Sequence, residues 1–245
     1  MNPTRVQEPV LREQAASAAA AAASEAGVDV VALDDVGRVA QASELFSSVW
    51  SPDGDQLMPP TTIRALAHAG SYAFGGMADG RMVGAIVGFL GRLDGSLQVH
   101  SHILGVDPRS QGRSVGFALK LHQRAWALDQ GIDVVTWTFD PLVRRNAYFN
   151  IGKLGAAVRS YEPDFYGPMT DGINSGLDSD RVLVEWRLAD EAVVAASLGR
   201  PAQQDAAAHG ATVALREVFV GAFGEGYRTV GFTGTGSYVF RRTGS

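Results

Sequence analysis

The chain has 245 residues, enough for one large core or two modest ones, and its 46% hydrophobic and 19% charged residues are ordinary for a globular protein. A net charge of −5 and a pI near 5.5 argue against nucleic acid as a partner, so any phosphate the protein binds must be gripped locally. With no cysteine, disulfides, thiolate nucleophiles and thiolate metal sites are excluded, and five histidines remain as nitrogen ligands.

Residues 9 to 26 are rich in alanine and stop at Gly27, which reads as a surface or partly disordered helix. Alanine in place of leucine, with Arg12 and Glu13 just ahead, makes this segment a poor signal peptide or membrane span. A cytoplasmic protein with no membrane partner is expected. Residues 28 to 35 read as a strand, and Val39, Ala42, Leu45, Phe46 and Val49 then recur at helical spacing. SPDGDQLMPP is a loop by composition, and residues 61 to 69 form a short helix that buries Ile63, Leu66 and Ala67. SYAFGGM, RMVGAIVGFLGRL and LQVHSHILGV follow as three strands, with hairpin signals in MADGR and GRLDGS.

After a loop of small and charged residues comes a helix over 115 to 130, with Ala118, Leu121, Ala125 and Leu128 in one stripe and Gly131 as its stop. Residues 132 to 140 read as a strand, 143 to 154 as a helix closed by Gly155, and 182 to 188 as a strand. Residues 190 to 210 resemble a linker or irregular helix. A helix over 211 to 222 and a hairpin of YRTVGF with GSYVFRR end the chain.

This order predicts an α/β protein in which an antiparallel meander is joined to a right-handed crossover with parallel strands, and helices cover both faces of a mixed central sheet. It divides into an N-terminal extension (1–27), a central domain (28–190), and a linker with a C-terminal helix and hairpin that completes or extends the sheet (191–245).

Gln111, Gly112, Arg113, Ser114, Val115 and Gly116 lead from strand to helix. A diphosphate needs several unpaired amide donors pointing one way, and a helix N-terminus supplies them. Glycine lets the backbone approach closely or adopt positive φ. If position 114 is left-handed, serine there costs about 1–2 kcal/mol. Its hydroxyl could cap the helix or hold a phosphate oxygen. The alternative is a plain capped helix.

In this setting the six residues resemble the Q/R-x-x-G-x-G/A signature of the GNAT acyltransferase superfamily, with Gln111 and Gly116 matching and Ser114 in place of the middle glycine. NAYFNIGKLGAAV is similar to the superfamily's N-x-x-A helix, which carries a tyrosine one turn before a closing glycine. With Gly155 as that glycine, Ala147 matches, while Arg144 and Ile151 replace the asparagine and the tyrosine. Tyr148, three residues before Ile151, is expected on the same helical face and becomes the candidate acid. WTFDPLVRRNAYFN and GLDSDRVLVEWRL also resemble a group of predicted acetyltransferases within the superfamily.

The resemblance implies a GNAT fold with a splayed parallel strand pair and acetyl-coenzyme A or another acyl-coenzyme A as co-substrate. Residues 111 to 116 would bind the donor's diphosphate, and backbone groups near Leu104 and Val106 would pair with its pantetheine arm and polarise the carbonyl. His100 falls where histone-acetylating members carry a glutamate base.

Acyl transfer needs a deprotonated acceptor, a polarised carbonyl and a proton for the leaving thiolate. Strand alternation predicts His100, His102, Leu104 and Val106 on one face, which makes His100 the candidate base. Both histidines could equally be satisfied sheet residues. A metal held by His100 and His102 with Asp140 lacks a wider ligand cluster, so no metal is expected. Thr136, Thr138 and Asp140 share a face opposite Val135, Trp137 and Phe139, and with His102 could line the acceptor cleft. Asp140 could instead cap the next helix. Arg144, Arg145, Asn146 and Asn150 at that helix start suggest an anionic ligand or a salt bridge to Asp140. The polar, aromatic stretch 161 to 181, with Tyr161, Tyr166, Asp171 and Asn174, would lie over the substrate.

Three functions are compatible with these residues. The first is transfer of an acetyl or other acyl group from acyl-coenzyme A to the amine of a small molecule. The second takes the acyl group from an acyl carrier protein, whose pantetheine arm presents one phosphodiester and no diphosphate. The third is a catalytically silent GNAT-like module that binds a metabolite or partner, a second copy of the chain included.

Overall fold

A computed structural model describes residues 3–50, 57–167, 179–200 and 215–242. The chain divides into two compact units, Met1–Val135 and Thr136–Ser245.

The first unit contains α1 (Pro3–Ala26), β1 (Asp29–Ala32), α2 (Val36–Trp50), α3 (Pro60–His68), β2 (Ala73–Ala78), β3 (Arg81–Leu93), β4 (Ser96–Val106) and α4 (Val115–Asp129). β1 to β4 form the expected antiparallel meander. One sheet face packs on α2 and α3 through Leu33, Phe46, Ile63, Ala85 and Val87. The other receives α4, and glycines decide how close it comes. A Cβ on Gly84 would stand 2.7 Å from Val115 Cγ1 and 3.0 Å from Leu119 Cδ1. The bare strand there lets the first turn of α4 settle on the backbone.

α1 differs from the expected surface helix. Ala15, Ala18, Ala19, Ala22 and Ala26 are buried, at the spacing of one helical face, and α1 packs along α4. Methyl groups let the two helices approach closely, and Gln14 Oε1 accepts a hydrogen bond from the buried Arg124 at 3.1 Å. The stop at Gly27 is as expected, with φ of 64°.

β5 (Val134–Phe139) crosses into the second unit, followed by α5 (Arg144–Ala147), a π-helical segment (Tyr148–Lys153), β6 (Ala157–Glu162), β7 (Arg181–Arg187), α6 (Glu191–Ser197), α7 (Leu215–Gly224), β8 (Tyr227–Phe232) and β9 (Tyr238–Arg242). Seven strands form one mixed sheet in the order β1-β2-β3-β4-β5-β7-β6, with β4 and β5 parallel.

Four features of this unit depart from the sequence-based expectations. The strand β6 was absent from them, because a bulge between Val158 and Ser160 breaks its alternation. The expected helix over 143–154 has only one α-turn before it widens into the π-segment. Within 190–210, expected as a linker or irregular helix, Glu191–Ser197 form the regular helix α6. The C-terminal hairpin does not extend the main sheet; β8 and β9 make a sheet of their own, packed through Phe219, Phe223, Tyr238 and Phe240.

Candidate functional site

In the first unit, Asp107 organises the approach to α4. Its Oδ1 accepts from the Arg109 amide at 2.9 Å and nucleates a 3₁₀ turn over Pro108–Ser110. Gln111 is extended, Gly112 turns the chain with φ of 83°, and Ser114 stands at the N-cap of α4 with φ of 61°. Position 114 is therefore left-handed, the case in which serine carries a strain cost. The anticipated serine cap is absent, because its side chain makes no capping hydrogen bond. Val115 and Gly116 open the helix, and the first amides of a helix have no partner within it. Arg109 and Arg113 are exposed at this entrance. Arg81, at the start of β3, and Arg109 each lie 3.6 Å from Asp107, in ion pairs that water screens. Neither Arg81 nor Asp107 was anticipated. Asp-Pro is a local turn signal for Asp107, whereas Arg81 arrives through strand pairing.

The predicted shared face of His100, His102, Leu104 and Val106 is not formed. β3 pairs Val87 with Ile103 but Gly88 with Ser101, so His102 is the extra residue of a bulge on β4. Leu104 and Val106 pair with Ile86 and Gly84 on the α4 side, whereas His100 pairs with Phe89 across the bulge. Ser101, next to His100, points toward α4 and accepts from Lys120 Nζ at 2.9 Å. The two histidines still form a cluster, with the Phe89 ring 5.1 Å from His100 and 5.8 Å from His102. Burial, reinforced by His102 and Lys120, pushes the His100 pKa down to about 4. Burial also lowers that of His102.

In the second unit, Thr138 is half-buried and Asp140 caps the turn after β5, its Oδ1 accepting from the Leu142 amide at 2.8 Å. The salt bridge suggested between Asp140 and the helix-start arginines is replaced for Arg144, which donates to the Gly234 carbonyl at 2.8 Å. Arg145 is exposed and Asn146 half-buried on α5. Asn150 is buried, and its Oδ1 accepts from Trp137 Nε1 at 3.1 Å, so it holds the π-segment to β5 rather than facing a ligand. Tyr148 and Ile151 do not share a face. Ile151 is buried, while Tyr148 is 51% exposed with its ring over Gly152, because i→i+5 bonding replaces α-helical spacing. Tyr166 is exposed, with Arg181 over its ring at 5.2 Å. Tyr161 donates to Asp180, which Arg216 also engages. Asp171 and Asn174 lie outside the described residues. Among the described residues, no group of three His, Asp or Glu side chains is placed to hold a metal ion, and no helix is long and apolar enough to cross a membrane.

No protein-family model matches the chain, and no curated protein matches it. Solved structures do. The chain is similar to the ribosomal-protein-S18-alanine N-acetyltransferase of Escherichia coli at 16% identity and a TM-score of 0.53, over 66% of this chain and 95% of that one. It is similar to aminoglycoside 6'-acetyltransferase type Ii at 15% identity and 0.53, over 66% and 98%. The yncA protein of Salmonella typhimurium, solved with its cofactor acetyl-CoA, aligns at 17% identity and 0.54, over 67% and 96%. Taken with the strand order, these superpositions show that the chain has the fold of the GNAT acetyltransferases.

Proposed function

We propose that the protein is an acyltransferase that moves an acetyl or other acyl group from acyl-coenzyme A to the amine of a small molecule. The observation that carries this proposal is the entrance to α4. Two left-handed positions on either side of Arg113, Gly112 and Ser114, deliver the backbone to a helix start lying on a glycine-bared strand, with Arg109 and Arg113 exposed beside it. That is a local anion grip on a chain with no bulk positive charge. The fold supports the same chemistry, since two neighbours carry names that describe acetylation of a protein alanine and of an aminoglycoside.

In the proposed reaction, the acceptor amine loses a proton, attacks the thioester carbonyl and displaces the thiolate, which takes up a proton. His100 is the candidate base and Tyr148 the candidate acid. A pKa of about 4 keeps His100 unprotonated through the neutral range but makes it a weak base. The acceptor amine therefore sheds its proton to solvent, or to His100 through water. The pH dependence of kcat/KM then follows the acceptor's own ionisation and shows no step near 6.5.

Isothermal titration and a thiol-release assay across a panel of acyl-coenzyme A donors test the donor assignment; neither heat nor thiol with any donor refutes it. Full activity in both His100→Ala and Tyr148→Phe refutes the two roles. Ser114 favours one rival, a carrier-protein thioester, because a grip weakened at a glycine position matters less for a single phosphodiester. Faster turnover of the free coenzyme ester than of the matching carrier-protein ester rules that rival out.

A further inference from the structure

The second unit contains a cavity of about 330 Å3 lined by none of the residues assigned to acyl transfer. Its size is at the lower end for small-molecule pockets. Arg159 on β6, Glu185 and Arg187 on β7, Asp190 ahead of α6, and Arg228 and Thr229 on β8 supply its polar lining. Two bulges shape it: Arg159 is the extra residue of the β6 bulge, and Thr229 borders the irregularity in β8.

These groups are not equally committed to the fold. Glu185 is buried and held between Arg159, at 2.8 Å, and Arg187. Arg228 donates one nitrogen to the Tyr227 carbonyl at 2.7 Å and lies over the Phe223 ring, which occupies only part of its five-donor fork. Asp190 stands at the N-cap of α6, yet its carboxylate makes no capping bond. Thr229 is 4% exposed, and its buried hydroxyl has no hydrogen-bond partner among the described residues. A buried polar group in that state is costly unless something satisfies it.

The charges select the ligand. Three arginines disfavour a simple cation, and the uncommitted Asp190 carboxylate disfavours a simple anion. We propose that the cavity binds a small zwitterion of amino-acid size, with its carboxylate on Arg187 and Arg228, its ammonium on Asp190, and the Thr229 hydroxyl donating to the carboxylate. Such a ligand would tie the β6–β7 edge to β8. The proposal does not depend on acyl transfer.

Isothermal titration of the full chain with the standard L-amino acids, and in parallel with acetate, succinate and inorganic phosphate, tests it. At least one amino acid should bind at a single site, raise Tm, and outbind all three anions. Asp190→Asn and Arg228→Gln, both at exposed positions, should each weaken that binding by about tenfold or more, while melting like the parent without ligand. Thr229→Val, close in shape, should weaken it as well. Three results would overturn the proposal: no amino acid binding up to millimolar concentration, anions binding as tightly as the amino acids, or unchanged affinity in Asp190→Asn and Arg228→Gln.

Discussion

Lys120 sits in the middle of α4 with 2% of its surface exposed, its ammonium nitrogen on two neutral acceptors, Ser101 Oγ at 2.9 Å and Gln123 Oε1 at 3.1 Å. Burial drives its pKa well below 10.5. The unfolded chain therefore holds one more proton than the folded one at every pH between the two values, so folding becomes more favourable as pH rises through that window and levels off above 10.5. A full proton difference changes stability by about 1.4 kcal/mol per pH unit within that window. At roughly 2–4 °C per kcal/mol for a chain of this size, that is a rise in Tm of about 3–6 °C per pH unit. Lys120→Met keeps the length and apolar stem but has nothing to titrate. Thermal melts of parent and variant across this range should converge as pH rises, with the variant the more stable near neutrality. Parallel lines would mean that Lys120 keeps its charge in the folded protein, and would refute the reasoning.

Ser114→Gly should relieve about 1–2 kcal/mol of left-handed strain against the larger unfolded-state entropy of glycine, for a net gain of about 0.5–1 kcal/mol by denaturant melt. It should also tighten coenzyme A binding by titration; weaker binding would show that the hydroxyl holds phosphate. Gly84→Ala should cost about 1–3 kcal/mol and weaken the donor grip by lifting the first turn of α4 off the strand. Gly91→Ala on the same strand, where the nearest atom to an added Cβ is Gln98 Nε2 at 3.8 Å, should change neither property.

The parts of this protein that were legible in its sequence are those with a clean period. Val39, Ala42, Leu45 and Phe46 announced α2 and its buried face, and the β2–β4 meander followed from its turn residues. Motif spacing marked position 114 as a glycine site, and its left-handed backbone came from the structure. Bulges hid the rest. The extra residue at His102 turned His100 away from the face of Leu104 and Val106, and the one available signal was Gly88, a glycine in a strand interior, where a Cβ would meet the His100 carbonyl at 2.9 Å. Arg159 concealed β6 in the same way. The widening of the helix at Tyr148 has no signature in residue type, and it moved the candidate acid off the face that α-helical spacing gave it. Alanines at a helix interface have the composition of an exposed helix, so the burial of α1 could not be read.

That alanine seam leaves a question of alignment. Sliding α1 along α4 by one turn would exchange methyl for methyl, so the seam attracts without choosing a position. The part-buried contact between Arg124 and Gln14, and the left-handed break at Gly27, are what a shifted helix would lose. The polar pair then acts as a key that sets register, a use of buried polar groups better attested than their contribution to stability.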